Sequence, residues 1–227
     1  MALINATTKK WIYLITYNAV SFLLWTLVTL RTVSFLALGP DTDEYDEPAA
    51  GTLYRQLPFP LLAFTQTLAF LEVAHAALGL VGASAATTAL QIGGKNLVVW
   101  TVMARFPDLF LGADDDKAGG QAGFLGCVLA WGGSEMIRYA FFVGQLLRGE
   151  PFGWIKWLRY NAFLVLYPAG LVSEAWLVYL ALAQGAADVG PVYRGYLFLG
   201  LLTYLPAGPY LFTHMLKQRR RAVQRRR

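Results

Sequence analysis

The sequence predicts an all-α integral membrane protein: a six-transmembrane-helix bundle with both termini in the cytosol. Three observations lead there. Hydrophobic residues are 56% of the 227 and charged residues 15%, where an average soluble domain carries about 25% charged residues. The apolar residues gather into runs of roughly 18 or more, the length that crosses a bilayer. Lysine and arginine collect at alternate connections, which orients such a chain.

The six segments are expected near 13–35, 59–80, 87–106, 122–147, 158–182 and 195–216. The first is a long apolar run with no A-x-A-like site after it, so it reads as a span and not as a cleavable leader. The third is interrupted by Lys95 and Asn96. The stretches "DTDEYDEP" and "PDLFLGADDDKAGG" are rich in Asp, Gly and Pro and read as exposed loops. Residues 1–216 thus form one membrane domain, and 217–227 a basic cytosolic tail. The net charge of +5 comes largely from that tail, "KQRRRAVQRRR". Anionic lipid headgroups suit it better than nucleic acid does. Cys127 is the single cysteine, so no intrachain disulfide framework is expected.

Lys9 and Lys10 precede segment one; Arg148, Lys156 and Arg159 lie between segments four and five; Lys217 and six arginines follow segment six. Six crossings put all three clusters on the cytosolic side, whereas five would strand one of them.

Charged side chains inside such segments are costly, about 2.5–3.5 kcal/mol each, and usually face a bundle interior and mark function. Segment two carries Glu72 and His75, three apart on one face, and segment three carries Gln91 and Lys95. In "WGGSEMIRY" of segment four, Trp131, Glu135, Arg138 and Tyr139 share a face. Segment five begins with Arg159 and Tyr160, then carries Tyr167 and Glu174. These stripes are expected to face one another and exclude lipid. Plainer readings stand beside each. Lys95 and Arg159 would snorkel to headgroups. Glu135 and Arg138 would form a structural i, i+3 pair. His75 would make an interhelical hydrogen bond, because one ExxH spacing without a second bundle histidine is a poor metal site. Cys127 is no phosphatase nucleophile, since "CVLAWGG" has no arginine six positions after it.

"LYPAGLVSE" at 166–174 is harder to read as packing. Tyr167 and Glu174 are seven apart, about two turns, so they project from one face with Cα atoms about 10.5 Å apart along the axis. Pro168 removes a backbone hydrogen bond and invites a kink. Gly170 leaves room for a neighbouring helix or an acyl chain. A tyrosine and a carboxyl around a slot make an acid/base pair that needs no nucleophile, metal or cofactor. On the residues alone, a proton-transfer enzyme and a proton-coupled transporter fit equally.

Five segments in order narrow this: "YLITYNAV", "LEVAHAALGLV", "TTALQ", "SEMIRYAFF" and "IKWLRYNAFLVLYPAGLVSE". Together they resemble the very-long-chain 3-hydroxyacyl-CoA dehydratases, also called protein tyrosine phosphatase-like proteins. The resemblance implies a six-span enzyme of the endoplasmic reticulum membrane that performs the third step of fatty acid elongation and yields trans-2-enoyl-CoA. It implies that Tyr167 and Glu174 are the catalytic pair. The polar stripes and the room left at Gly170 make Glu72, His75, Lys95, Glu135, Arg138, Tyr139, Arg159, Tyr160 and Gly170 the expected supporting or substrate-binding residues beside that pair. The resemblance also implies a 3-hydroxyacyl-CoA substrate and, as partners, the elongase, ketoacyl-CoA reductase and enoyl-CoA reductase of the cycle. One departure is Gly94-Lys95, where the family usually has Ser-Arg: charge is kept, but bidentate phosphate binding is lost.

Dehydration needs one group to take the α-proton and another to protonate the leaving hydroxyl. The sequence leaves open which of Tyr167 and Glu174 does which. A tyrosine near its ordinary pKa of about 10 is a poor base at neutral pH, which favours Glu174 as base. Arg138 is expected to polarise the thioester or to hold Glu174. Lys95, Arg138, Lys156 and Arg159 are expected to attract the phosphates of coenzyme A. The alternatives are a non-catalytic reticulum adaptor, which would tolerate loss of the polar stripes, and a proton-coupled transporter. A transporter typically pairs broken helices, and only one proline-interrupted motif of this kind is apparent.

Overall fold

The computed structural model describes residues 2–38, 59–111, 118–185 and 189–224. The acidic stretch "DTDEYDEP", all of "ADDDK" and the last three arginines lie outside the described residues. Among the described residues the chain is helical and has no strand. α1 is Ala2–Leu38. α2, Phe59–Leu68, and α3, Phe70–Ala77, are separated by a single residue, Ala69. α4 is Ala85–Leu97 and runs into a π-helical turn, Val98–Met103. After the short α5, Asp108–Leu111, comes α6, Ala118–Arg148. α7, Gly153–Asn161, and α8, Phe163–Leu180, are separated only by Ala162, and α8 ends in a π-helical turn, Ala181–Gly185. α9 is Pro191–Gln224. Helices overlie each of the six expected segments. Among the described residues three stretches, Thr7–Ala37, Phe59–Ala77 and Phe163–Gly185, are long and apolar enough to cross a membrane.

α6 is the central element, with its most extensive contacts to α1 on one side and α8 on the other. Glycine makes both contacts close. A Cβ on Gly132 would lie 2.0 Å from Thr29 Oγ1 of α1, and one on Gly126 would lie 2.7 Å from Ser173 Oγ of α8. Small residues at helix interfaces are how backbones approach each other in lipid, where apolar side chains gain nothing by leaving the hydrocarbon. Three threonine hydroxyls along α1 are satisfied within the helix: Thr26, Thr29 and Thr32 donate to the carbonyls of Phe22, Trp25 and Val28. Trp25, Val99, Met103, Cys127, Trp131 and Leu177 form the centre of the buried cluster.

Two helix breaks do not fall where proline suggests. The α2–α3 break at Ala69 contains neither proline nor glycine. Asn96 Nδ2 of α4 donates to the Gln66 carbonyl (3.1 Å), the group that a continuous helix would offer to Phe70. Ala69 N–H bonds Gln66 O in a tighter i+3 turn. In segment five the interruption falls at Ala162. α8 then runs through Pro168 without a break in its helical assignment.

Candidate functional site

Two clusters of polar side chains meet at α6. The first gathers residues from α1, α3, α4 and α6 around Arg138. Its guanidinium donates to both oxygens of Glu72, at 2.5 and 2.7 Å, and through Nε to Glu135 Oε2 at 2.7 Å. Lys95 Nζ donates to the other oxygen of Glu135, also at 2.7 Å. Tyr139 O–H donates to Glu72 Oε1, and Tyr17 O–H reaches the same oxygen at 3.4 Å. Two cations and two carboxylates thus balance in charge. Beside them His75 Nε2 shares a 2.7 Å hydrogen bond with the Tyr13 hydroxyl, and its ring stands edge-on to Tyr17. The i, i+3 and i, i+4 spacings on α1, α3 and α6 let these side chains converge.

The second cluster is built on α8. Glu174 Oε1 accepts the indole N–H of Trp131, from α6, at 2.6 Å. Glu174 Oε2 accepts the Tyr204 hydroxyl, from α9, at 3.4 Å. Gly170 is buried beside this carboxylate. A Cβ there would be 3.4 Å from Ala130 Cβ, 3.8 Å from Trp131 Cδ1 and 4.0 Å from Glu174 Oε1. The carboxylate therefore lies back over the preceding turn, toward Tyr167, as side chains on a helix tilt. Tyr167 is not bonded to Glu174. Its hydroxyl donates to the Gly208 carbonyl of α9 at 3.0 Å, and its ring stacks on Phe212 with centroids 5.9 Å apart. Gly208 also sits against Leu171. Trp131 links the two clusters, because Lys95 Nζ lies 5.5 Å from its ring centroid.

Several expected roles change with this geometry. Arg138 holds Glu72 and Glu135, and the partners of Glu174 are Trp131 and Tyr204. Lys95 pairs with Glu135, so neither Lys95 nor Arg138 presents an uncompensated charge. Arg159 lies over Phe141 and Phe142, at 5.4 and 5.2 Å, with Tyr160 edge-on to Phe141. Gln91 is exposed. The sequence reading placed Trp131 on the polar stripe without a role and passed over Tyr17, Tyr204 and Gly208. It also missed a signal. "YLPAGP" at 204–209 repeats the Pro-Ala-Gly of 168–170, so proline lies inside two of the helices at the site and not one.

Residues 66–225 match the family described as "Protein tyrosine phosphatase-like protein, PTPLA". The chain belongs to that family. Its relatives extend the likeness over almost the whole length. Very-long-chain (3R)-3-hydroxyacyl-CoA dehydratase PASTICCINO 2A of Oryza sativa subsp. japonica is 32% identical over 98% of this chain and 97% of its own. A probable very-long-chain (3R)-3-hydroxyacyl-CoA dehydratase of Schizosaccharomyces pombe is 35% identical over 94% and 93%. Very-long-chain (3R)-3-hydroxyacyl-CoA dehydratase 2 of Homo sapiens is 31% identical over 93% and 80%. No solved structure matches. Cys127 is 0% exposed and packed in the central cluster.

Proposed function

We propose that this chain dehydrates very-long-chain 3-hydroxyacyl-CoA to trans-2-enoyl-CoA in the endoplasmic reticulum membrane, as the third step of fatty acid elongation. The proposal includes six membrane crossings with both termini cytosolic, and the other enzymes of the cycle as neighbours. Its main support is the carboxylate of Glu174, held between three helices on the face of α8 that also carries Tyr167.

In the proposed reaction the C2–H and C3–O bonds break, the C2–C3 double bond forms, and water leaves. Glu174 takes the C2 proton. Both of its hydrogen bonds come from donors, which suits a carboxylate acting as acceptor. Tyr167, already a donor toward Gly208, turns its proton to the C3 hydroxyl as that group departs. Substrate lies between the two side chains, with the acyl chain along α8 and α9. Arg159 and Lys156 attend the coenzyme A phosphates, since Lys95 and Arg138 are engaged with carboxylates.

The test is turnover of a long-chain 3-hydroxyacyl-CoA by the membrane-embedded protein. Tyr167→Phe and Glu174→Gln are each expected to lower kcat by at least about a hundredfold, in the range of a lost general acid or base. Full turnover in either removes that residue from the mechanism. Arg159→Gln is expected to raise KM with kcat retained, and an unchanged KM takes Arg159 out of phosphate binding. The second reading is a proton-coupled transporter, although α8 and α9 both run unbroken through their prolines. Absence of enoyl product from the wild-type protein would favour that reading.

A further inference from the structure

Resting on that reading, we propose that Trp131 is a positioning residue for the reaction. Its indole N–H fixes Glu174 Oε1 and thereby leaves Oε2 as the oxygen that meets the substrate proton. The geometry is unequal in the way such a role requires. The Trp131 bond is 2.6 Å and the Tyr204 bond 3.4 Å, on opposite oxygens of one carboxylate. A carboxylate in a helix keeps freedom about its last torsions, which are broad and roughly two-fold. One short bond from a fixed ring removes most of that freedom.

Trp131 is fixed. It is 2% exposed, and Ala130 beside it abuts Gly170 one turn before Glu174. Gly126 lets α8 come close to α6 here: a Cβ there would lie 2.7 Å from the Oγ of Ser173, the residue before Glu174. On its other face the Trp131 ring lies near the ammonium of Lys95, which Glu135 and, through it, Arg138 hold in place. The charged cluster of α3, α4 and α6 therefore acts on Glu174 by way of Trp131. Tyr204, at the longer distance, contacts the reactive oxygen and yields it when substrate enters.

A packing residue and a positioning residue differ in what their loss changes. Trp131→Phe keeps a buried ring and removes the N–H. It is expected to lower kcat about tenfold or more, the effect of a lost hydrogen bond to a charged group, with KM within about threefold. Combined with Glu174→Gln it should cost nothing further, because the group it positions is gone. Trp131→His, which restores a ring N–H, should recover part of the rate. Wild-type kcat in Trp131→Phe while Glu174→Gln is inactive would overturn the positioning role. Full activity in Glu174→Gln would instead overturn the catalytic reading beneath it. If Trp131→Phe changes elution on gel filtration, Tyr204→Phe carries the test of the clamp. It removes the weaker donor and should lower kcat less than fivefold; a loss of tenfold or more would reverse the ranking of the two donors and sink the proposal.

Discussion

At Arg138 one guanidinium satisfies three carboxylate oxygens, and Lys95 satisfies the fourth. Charges taken from water are held only by such pairing, and removing one partner leaves the other uncompensated at a cost of about 3–5 kcal/mol. Arg138→Gln should therefore lower the thermal unfolding temperature in detergent markedly. Arg138→Gln with Glu72→Gln should be more stable than Arg138→Gln alone, since the stranded carboxylate is then gone. Equal stability of Arg138→Gln and wild type would mean that water reaches the cluster. Glu72, Glu135, Arg138 and Lys95 were legible in the sequence because a charge in an apolar run stands out. Trp131 and Tyr204 were not. Aromatic residues in such runs are ordinarily packing or interfacial belts, and only the rotation of one helix against another shows which N–H meets a carboxylate.

The helices meet where glycine lets them. A methyl group on Gly132 would collide with Thr29 Oγ1 at 2.0 Å and crowd Thr29 Cβ at 3.3 Å. Threonine is stiff at χ1 in a helix, and its hydroxyl is already bonded to Trp25 O at 2.8 Å. Gly132→Ala should thus destabilise by about 1–3 kcal/mol, as overpacking does. Thr29→Ala in the same chain should restore most of that loss. If it does not, the α1–α6 contact yields elsewhere. Element existence was readable from apolar length alone, but the breaks were not. The one at Ala69 depends on an asparagine from another helix, and Pro168, the visible breaker, sits inside a continuous α8. A proline in a membrane helix loses one backbone bond, and neighbouring groups can compensate. Here α9 comes close at Gly208, itself beside Pro206 and Pro209.

Across the whole molecule the distribution of Lys and Arg argues for a defined orientation. Lys10, Glu150 and Lys217 fall in the three connections or ends assigned to the cytosol, and Val192 falls in one assigned to the opposite side. Lys10, Glu150 and Lys217 are exposed, and Val192 is 86% exposed. The native thiol does not interfere, because Cys127 is 0% exposed. Cysteine placed singly at each of the four positions makes the orientation measurable in sealed, cytosolic-side-out microsomes. A membrane-impermeant maleimide should label Lys10→Cys, Glu150→Cys and Lys217→Cys at once. Val192→Cys should react only after the membrane is permeabilised. Immediate labelling of Val192→Cys would bring both ends of α8 to one face. Tyr167 and Glu174 would then not lie along a path from the cytosol into the hydrocarbon. Protection of Lys217→Cys with Lys10→Cys reactive would mean an odd number of crossings and a tail facing away from the anionic cytosolic leaflet, where six arginines and a lysine gain least.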